Sequence, residues 1–146
     1  MSSENTAHKL NALIHLEIDV VKCYEQALRH VDDDGLLSEI ARIKADNERH
    51  ILELSEVMRS LGHTPPHFVR DAKGLLMAGL AAVRAASGTE GAIKAMRGNA
   101  RLLDETYEHA LNWSLPIEVQ AQLQGYQADE KRHVEIFDQE LETLRV

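Results

Sequence analysis

Ala45-Asp46-Asn47-Glu48-Arg49-His50 returns later in the chain as Ala128-Asp129-Glu130-Lys131-Arg132-His133. A second pair of segments, Tyr24-Glu25-Gln26-Ala27-Leu28 and Tyr107-Glu108-His109-Ala110-Leu111, matches at the same distance: 128 − 45 and 107 − 24 are both 83. Two separate matches at one ungapped offset imply two helical hairpins of equal build, related by a pseudo-twofold.

Working outward from these segments, apolar residues recur at helical spacing in four places. From about Thr6 to His30 the inward stripe is Leu10, Leu13, Ile14, Glu17, Val20, Val21, Tyr24, Ala27 and Leu28, and Asp32-Asp33-Asp34-Gly35 ends it as a turn. From about Leu36 to Leu61 it is Leu36, Ile40, Ile43, Asn47, His50, Leu54, Val57 and Leu61, with Gly62 as the cap. A third helix is expected over about Glu90 to Asn112, carrying Ile93, Met96, Ala100, Leu103, Tyr107, Ala110 and Leu111. The fourth follows Pro116 and runs to about Leu144, with Val119, Leu123, Tyr126, Glu130, His133, Ile136, Phe137, Leu141 and Leu144 inward. Proline is confined to Pro65, Pro66 and Pro116, and no segment alternates with the period of a strand. The expected fold is all-α: one domain over 1–146, an antiparallel four-helix bundle of two hairpins, with a long crossover carrying a short helix at about Arg70 to Ala86.

Composition agrees. Of 146 residues, 44% are hydrophobic and 27% charged, a globular balance. The formal net charge of -8 argues against a nucleic acid or an anionic membrane as partner, since both need a basic face. The apolar run Leu75 to Val83, about nine residues, is far short of the roughly 20 that span a bilayer. Its burial would need a covering surface, for which a homodimer through the crossover is one solution. The opening MSSENTAHKLNALIHL has no signal-peptide pattern, and Cys23 has no internal partner. Both fit a soluble, cytoplasmic protein.

Five polar residues fall on stripes that are otherwise apolar: Glu17, Asn47, His50, Glu130 and His133. Asn47 with His50, and Glu130 with His133, are three apart and share a helix face. A buried carboxylate without a partner is costly, so the cluster needs an explanation. One is a metal: carboxylate oxygen and neutral imidazole suit iron, manganese or zinc. The other is a hydrogen-bonded network that holds no metal. Asp32-Asp33-Asp34 lacks the oxygen pattern of an EF-hand. His8, His15, His30, His63, His67 and His109 share no spacing, and phosphate loops and nucleophile motifs are absent.

The Glu-x-x-His pair, Glu17 seven residues before Tyr24, the LN-x-LI start, Tyr-x-x-Ala in the first helix and Leu-Gly-x-x-Pro after the second make the chain resemble the ferritin-like superfamily, which includes bacterioferritin and rubrerythrin. Within it the chain is most similar to a bacterial ferritin-like domain of unknown function. The resemblance implies a metal centre with redox or stress-related chemistry, and as ligands Glu17, His50, Glu130 and His133, with Glu130 bridging. It also exposes two departures. The di-iron pattern asks for a carboxylate where Asn47 stands and another at the third-helix position matching Glu17, which is Ala100. The resemblance therefore implies a degenerate site, in which Asn47 reads first as a network partner, its oxygen being the alternative donor. The alternative is a non-enzymatic bundle with a metal-free polar core, acting through oligomerisation or a protein partner.

Overall fold

The computed structural model describes residues 3–68 and 88–145. Its helices are α1 (Ser3–His30), α2 (Asp34–Ser60), α3 (Gly88–Ala110) and α4 (Ile117–Leu144), and no strand occurs among the described residues. The expected short helix at about Arg70 to Ala86 and the run Leu75 to Val83 lie outside the described residues. Among those residues no helix is long and apolar enough to cross a membrane.

Packing is tightest within the α1–α2 and α3–α4 hairpins, which then join through α1 against α3 and α2 against α4. Each neighbouring pair runs antiparallel. Glu17 of α1 meets Asn47 of α2, Asp46 and Glu53 of α2 meet His133 and Tyr126 of α4, and Arg97 and Asp104 of α3 meet Asp138 and Gln127 of α4. Hence α2 and α3 are parallel, with the end of α2 and the start of α3 at opposite ends of the bundle. This is the ferritin-like four-helix bundle.

Helix ends follow local chemistry. The first turn of α2 is capped by Asp33, whose Oδ1 accepts from the Leu36 backbone N–H at 2.8 Å. The Asp run is therefore shorter as a turn than its composition suggests, because Asp34 and Gly35 already belong to α2. Asp33→Ala is expected to lower stability by about 1 kcal/mol, measurable as a shifted urea midpoint at unchanged slope. At the other end, Gly62 adopts φ +81°, and the N–H groups of Gly62 and His63 return to the carbonyls of Arg59 and Met58 at 2.9 and 3.0 Å. This left-handed closure satisfies the last carbonyls of α2 and favours glycine at that position.

The inward stripes pack as their periodicity requires, with exceptions at the ends. Leu28, Val57, Leu61, Leu111 and Ile136 are only half-buried, and Leu144, the last residue of α4, is 48% exposed. Ile51 and Met58 join the core beside the expected stripe of α2. Tyr24 stacks on Phe137 with centroids 6.2 Å apart. The lone Cys23 is a buried thiol, pushed up to about 11 by burial.

Candidate metal centre

Glu17, Asn47, His50, Glu130 and His133 are all fully buried and meet at one level of the bundle. Glu17 on α1 is the hub. Its Oε1 accepts from Asn47 Nδ2 at 2.6 Å, and its Oε2 accepts from His50 Nδ1 at 2.7 Å and from the Tyr107 hydroxyl. Asn47 Nδ2 also donates to Glu130 Oε2 at 2.8 Å, tying α1, α2 and α4 together. On its other oxygen Glu130 accepts from His133 Nδ1 at 3.1 Å.

The outer nitrogen of each histidine finds a carboxylate on the opposite helix. His50 Nε2 donates to Asp129 Oδ2 at 2.7 Å, and His133 Nε2 donates to Asp46 Oδ2 at 2.8 Å. Arg49 and Arg132 back these same acids, at 2.7 Å to Asp129 and 2.9 Å to Asp46. Thus the two matched hexamers exchange Asp–His and Asp–Arg contacts, each supplying the other's outer partners. The surroundings differ on the two sides. Tyr126 stacks on His50 at 4.1 Å and donates its hydroxyl to Glu53 at 2.8 Å. On the His133 side a groove is lined by Ile43, Asp46, Arg132 and Ile136, with the buried His133 behind them.

The electrostatics follow. Burial alone would lower the His50 pKa, but the hydrogen bonds to Asp129 and Glu17 outweigh it and lift the ring to about 9. His133 is raised for the same reason by Glu130 and Asp46, against its own burial. Only an imidazolium carries a proton on both nitrogens, so at neutral pH the His50 ring donates twice. Asp129 is partly desolvated, yet His50 and Arg49 hold it well below the usual carboxylate range. Burial dominates at Glu130 and raises it, with Glu17 adding to the rise and His133 opposing it. Burial also pushes Tyr24 and Tyr107 well above an ordinary phenol.

Among the described residues one group of three offers ligand atoms close enough to share an ion: Glu17, His50 and Glu130, all within 4.8 Å of one another. Two carboxylates and an imidazole are the donors that iron, manganese and zinc accept. His50 would present Nδ1 while Asp129 orients the ring through Nε2, the usual support for a ligating histidine. The buried atoms that lack hydrogen-bond partners among the described residues include Asn47 Oδ1 and the Tyr24 hydroxyl. Each belongs to one of the sequence departures. Asn47 is the substituted position itself. Tyr24 matches Tyr107, whose hydroxyl ends on Glu17, but the position matching Glu17 is Ala100. Tyr24 has therefore lost its acceptor. The residues fit one ion, and a second would find Glu130 and His133 but no carboxylate from α3.

Sequence periodicity did not single out Asp46, Asp129, Arg49, Arg132 or Tyr126 as parts of the site. Asp46, Asp129, Arg49 and Arg132 stand in the matched hexamers, so their recurrence was the available signal. What they touch lies on another helix, beyond the reach of spacing.

Residues 5–112 match the family described as Domain of unknown function (DUF2383). A crystal structure described as ferritin like, diiron-carboxylate proteins from Bacillus anthracis str. Ames is similar over 97% of this chain and 99% of that one, with a TM-score of 0.76 and 21% sequence identity. At that identity the likeness establishes the fold. No curated protein matches the sequence.

Proposed function

The chain belongs to the DUF2383 family, and from that premise we propose that it is a metal-binding protein with one centre per chain, held by Glu17, His50 and Glu130. The observation that carries this reading is the convergence of three buried ligand atoms within 4.8 Å, each from a different helix of the bundle. Iron, manganese and zinc suit the donors. The diiron-carboxylate description of the similar crystal structure favours iron, and a redox or stress-related role goes with that ion. When bound, the ion supplies Lewis acidity or redox chemistry. The chain's own residues hold it, orient His50 through Asp129, and keep a proton on Tyr107 beside Glu17. His133 completes the set from the far side of Glu130, as an orienting partner of that carboxylate or as a ligand in its own right. A reducing compartment such as the cytoplasm suits the lone buried thiol, and the acidic net charge suits a protein that does not bind nucleic acid.

Reconstitution with iron, manganese or zinc, removal of excess, and elemental analysis test the proposal. The expected result is about one ion per chain, lost in His50→Ala. Background metal in the wild type, with an unchanged melting temperature, would overturn it. The missing second position yields a further prediction. Asn47→Glu combined with Ala100→Glu supplies both absent carboxylates and gives Tyr24 an acceptor. Stoichiometry is then expected to rise from one ion per chain to two, and a count that stays at one would refute the account of why the site is incomplete.

A second reading, a metal-free bundle acting through oligomerisation or a protein partner, draws support from one observation. Both histidines have carboxylate partners at both ring nitrogens. Under that reading the paired replacement His133→Leu with Glu130→Leu leaves stability equal or higher, since packing can replace a buried polar pair when both partners go.

A further inference from the structure

Asn47 is bonded at one end only. Its Nδ2 donates both protons, to Glu17 Oε1 at 2.6 Å and to Glu130 Oε2 at 2.8 Å. Its Oδ1 is buried and accepts nothing among the described residues. A core amide kept for structure alone is normally satisfied at both ends, because an unpaired buried acceptor is unfavourable.

The two acceptors are not arbitrary, since both belong to the group that offers ligand atoms for one ion. The NH2 group, the positive end of the amide dipole, therefore stands between two carboxylates where a cation would bind both. A carboxylate at position 47, such as Glu130 at the matched position, would instead add a third negative charge to the metal-free core. Asparagine avoids that repulsion and still carries an oxygen.

An amide is nearly the same shape at both ends. A half-turn about χ2 exchanges Nδ2 and Oδ1 without moving the backbone. The turn swaps one unpaired end for the other, so the balance is decided at the carboxylates. Without an ion, Oδ1 facing two carboxylates is repelled and Nδ2 is held. With a cation between them, the preference inverts.

Resting on the metal-centre reading, we propose that Asn47 is a two-state residue: its Nδ2 stands in for the cation in the metal-free protein, and its Oδ1 turns in as a protein ligand when an ion binds between Glu17 and Glu130. The ion is a divalent transition metal, bound by oxygen and imidazole donors.

Calorimetric titration of the full-length wild type and Asn47→Leu with Zn2+ and, in parallel, Mn2+ tests this, together with a crystal structure of the loaded wild type. Leucine keeps the volume and removes both ends of the amide. A ligand role predicts binding at least tenfold weaker in Asn47→Leu, and a loaded wild type with the side-chain oxygen at roughly 2.0–2.2 Å from the ion. A spacer that the metal merely displaces predicts the opposite sign, an unchanged or tighter Kd. That result, or an amide still donating to both carboxylates in the loaded protein, overturns the proposal and leaves the metal centre standing. If neither ion binds the wild type, the metal centre falls and this inference falls with it. Should Asn47→Leu fail to fold, the loaded wild-type structure decides alone.

Discussion

Replacing Glu17 with leucine is expected to destabilise the metal-free protein by about 3–5 kcal/mol, the range for breaking a buried ion pair by removing one partner. Glu17 is fully buried and accepts from three groups on two other helices: Asn47 Nδ2, His50 Nδ1 and the Tyr107 hydroxyl. Leucine leaves all three donors facing an apolar side chain. The most damaging is His50, whose imidazolium would keep Asp129, and Glu130 at 3.7 Å, but lose its nearer inner counter-charge. In a domain of this size the loss corresponds to a fall in Tm of about 10 °C or more. Glu17→Gln is the milder control, since its carbonyl still accepts one bond and its volume is unchanged. Adding His50→Leu to Glu17→Leu should recover part of the loss by removing the unpaired charge, and a double-mutant cycle measures that coupling. Urea unfolding at pH 7 reads all three variants. A cost below about 1 kcal/mol for Glu17→Leu would show that the network does not hold the four helices together.

The second large effect is on pH dependence. His50 moves from an ordinary 6.5 to about 9 in the folded protein. A group whose folded pKa is raised contributes fully below its unfolded pKa and loses that contribution as pH rises through the folded value. Stability of the metal-free protein is therefore expected to fall between about pH 6.5 and pH 9, by on the order of 3 kcal/mol. Glu130 is also raised, by burial first, and its contribution has the same sign: it fades as pH rises. Asp129 works at the other end. It is held low by His50 and Arg49, so its contribution is present above the ordinary carboxylate range and is lost as pH falls below about 4. Together these place maximum metal-free stability on the mildly acidic side of neutrality. Urea midpoints at pH 6, 7.5 and 9 check the slope, and a flat profile would mean that the histidines are neutral in the fold. A saturating divalent ion should reverse the trend, because it requires the deprotonated ring and its binding releases that proton. The same three pH values measured with Zn2+ then separate the imidazolium network from the metal site in one protein.

These effects share one cause. Glu17, Glu130, His50 and His133 form one hydrogen-bonded cluster in which the proton held on His50 puts positive charge beside two carboxylates. Asn47 and Ala100 reduce the carboxylate count, and this keeps the cluster tolerable without an ion. A four-carboxylate core of the same geometry would be more repulsive when empty and more demanding of metal.

How far all of this is written in the linear chain depends on the range of the interaction concerned. Helix periodicity is local, set by 3.6 residues per turn, and it places Glu17, Asn47, His50, Glu130 and His133 on inward faces before any tertiary contact is known. The recurrence of the hexamer at 45–50 and 128–133 likewise locates two equivalent helices, and the absence of carboxylates at Asn47 and Ala100 is visible at once. The all-α bundle follows from the same local pattern. What spacing cannot carry is the rotation and relative height of helices that meet only when packed. That Asp129 serves His50 while Asp46 serves His133, that Tyr107 rather than Tyr24 reaches a carboxylate, and that Tyr126 covers one histidine while a groove opens on the other were decided by the tertiary structure. Asp46 and Asp129 are half-buried, at the margin of their stripes, where polarity reads as surface. Only their placement against the opposite helix makes them part of the centre.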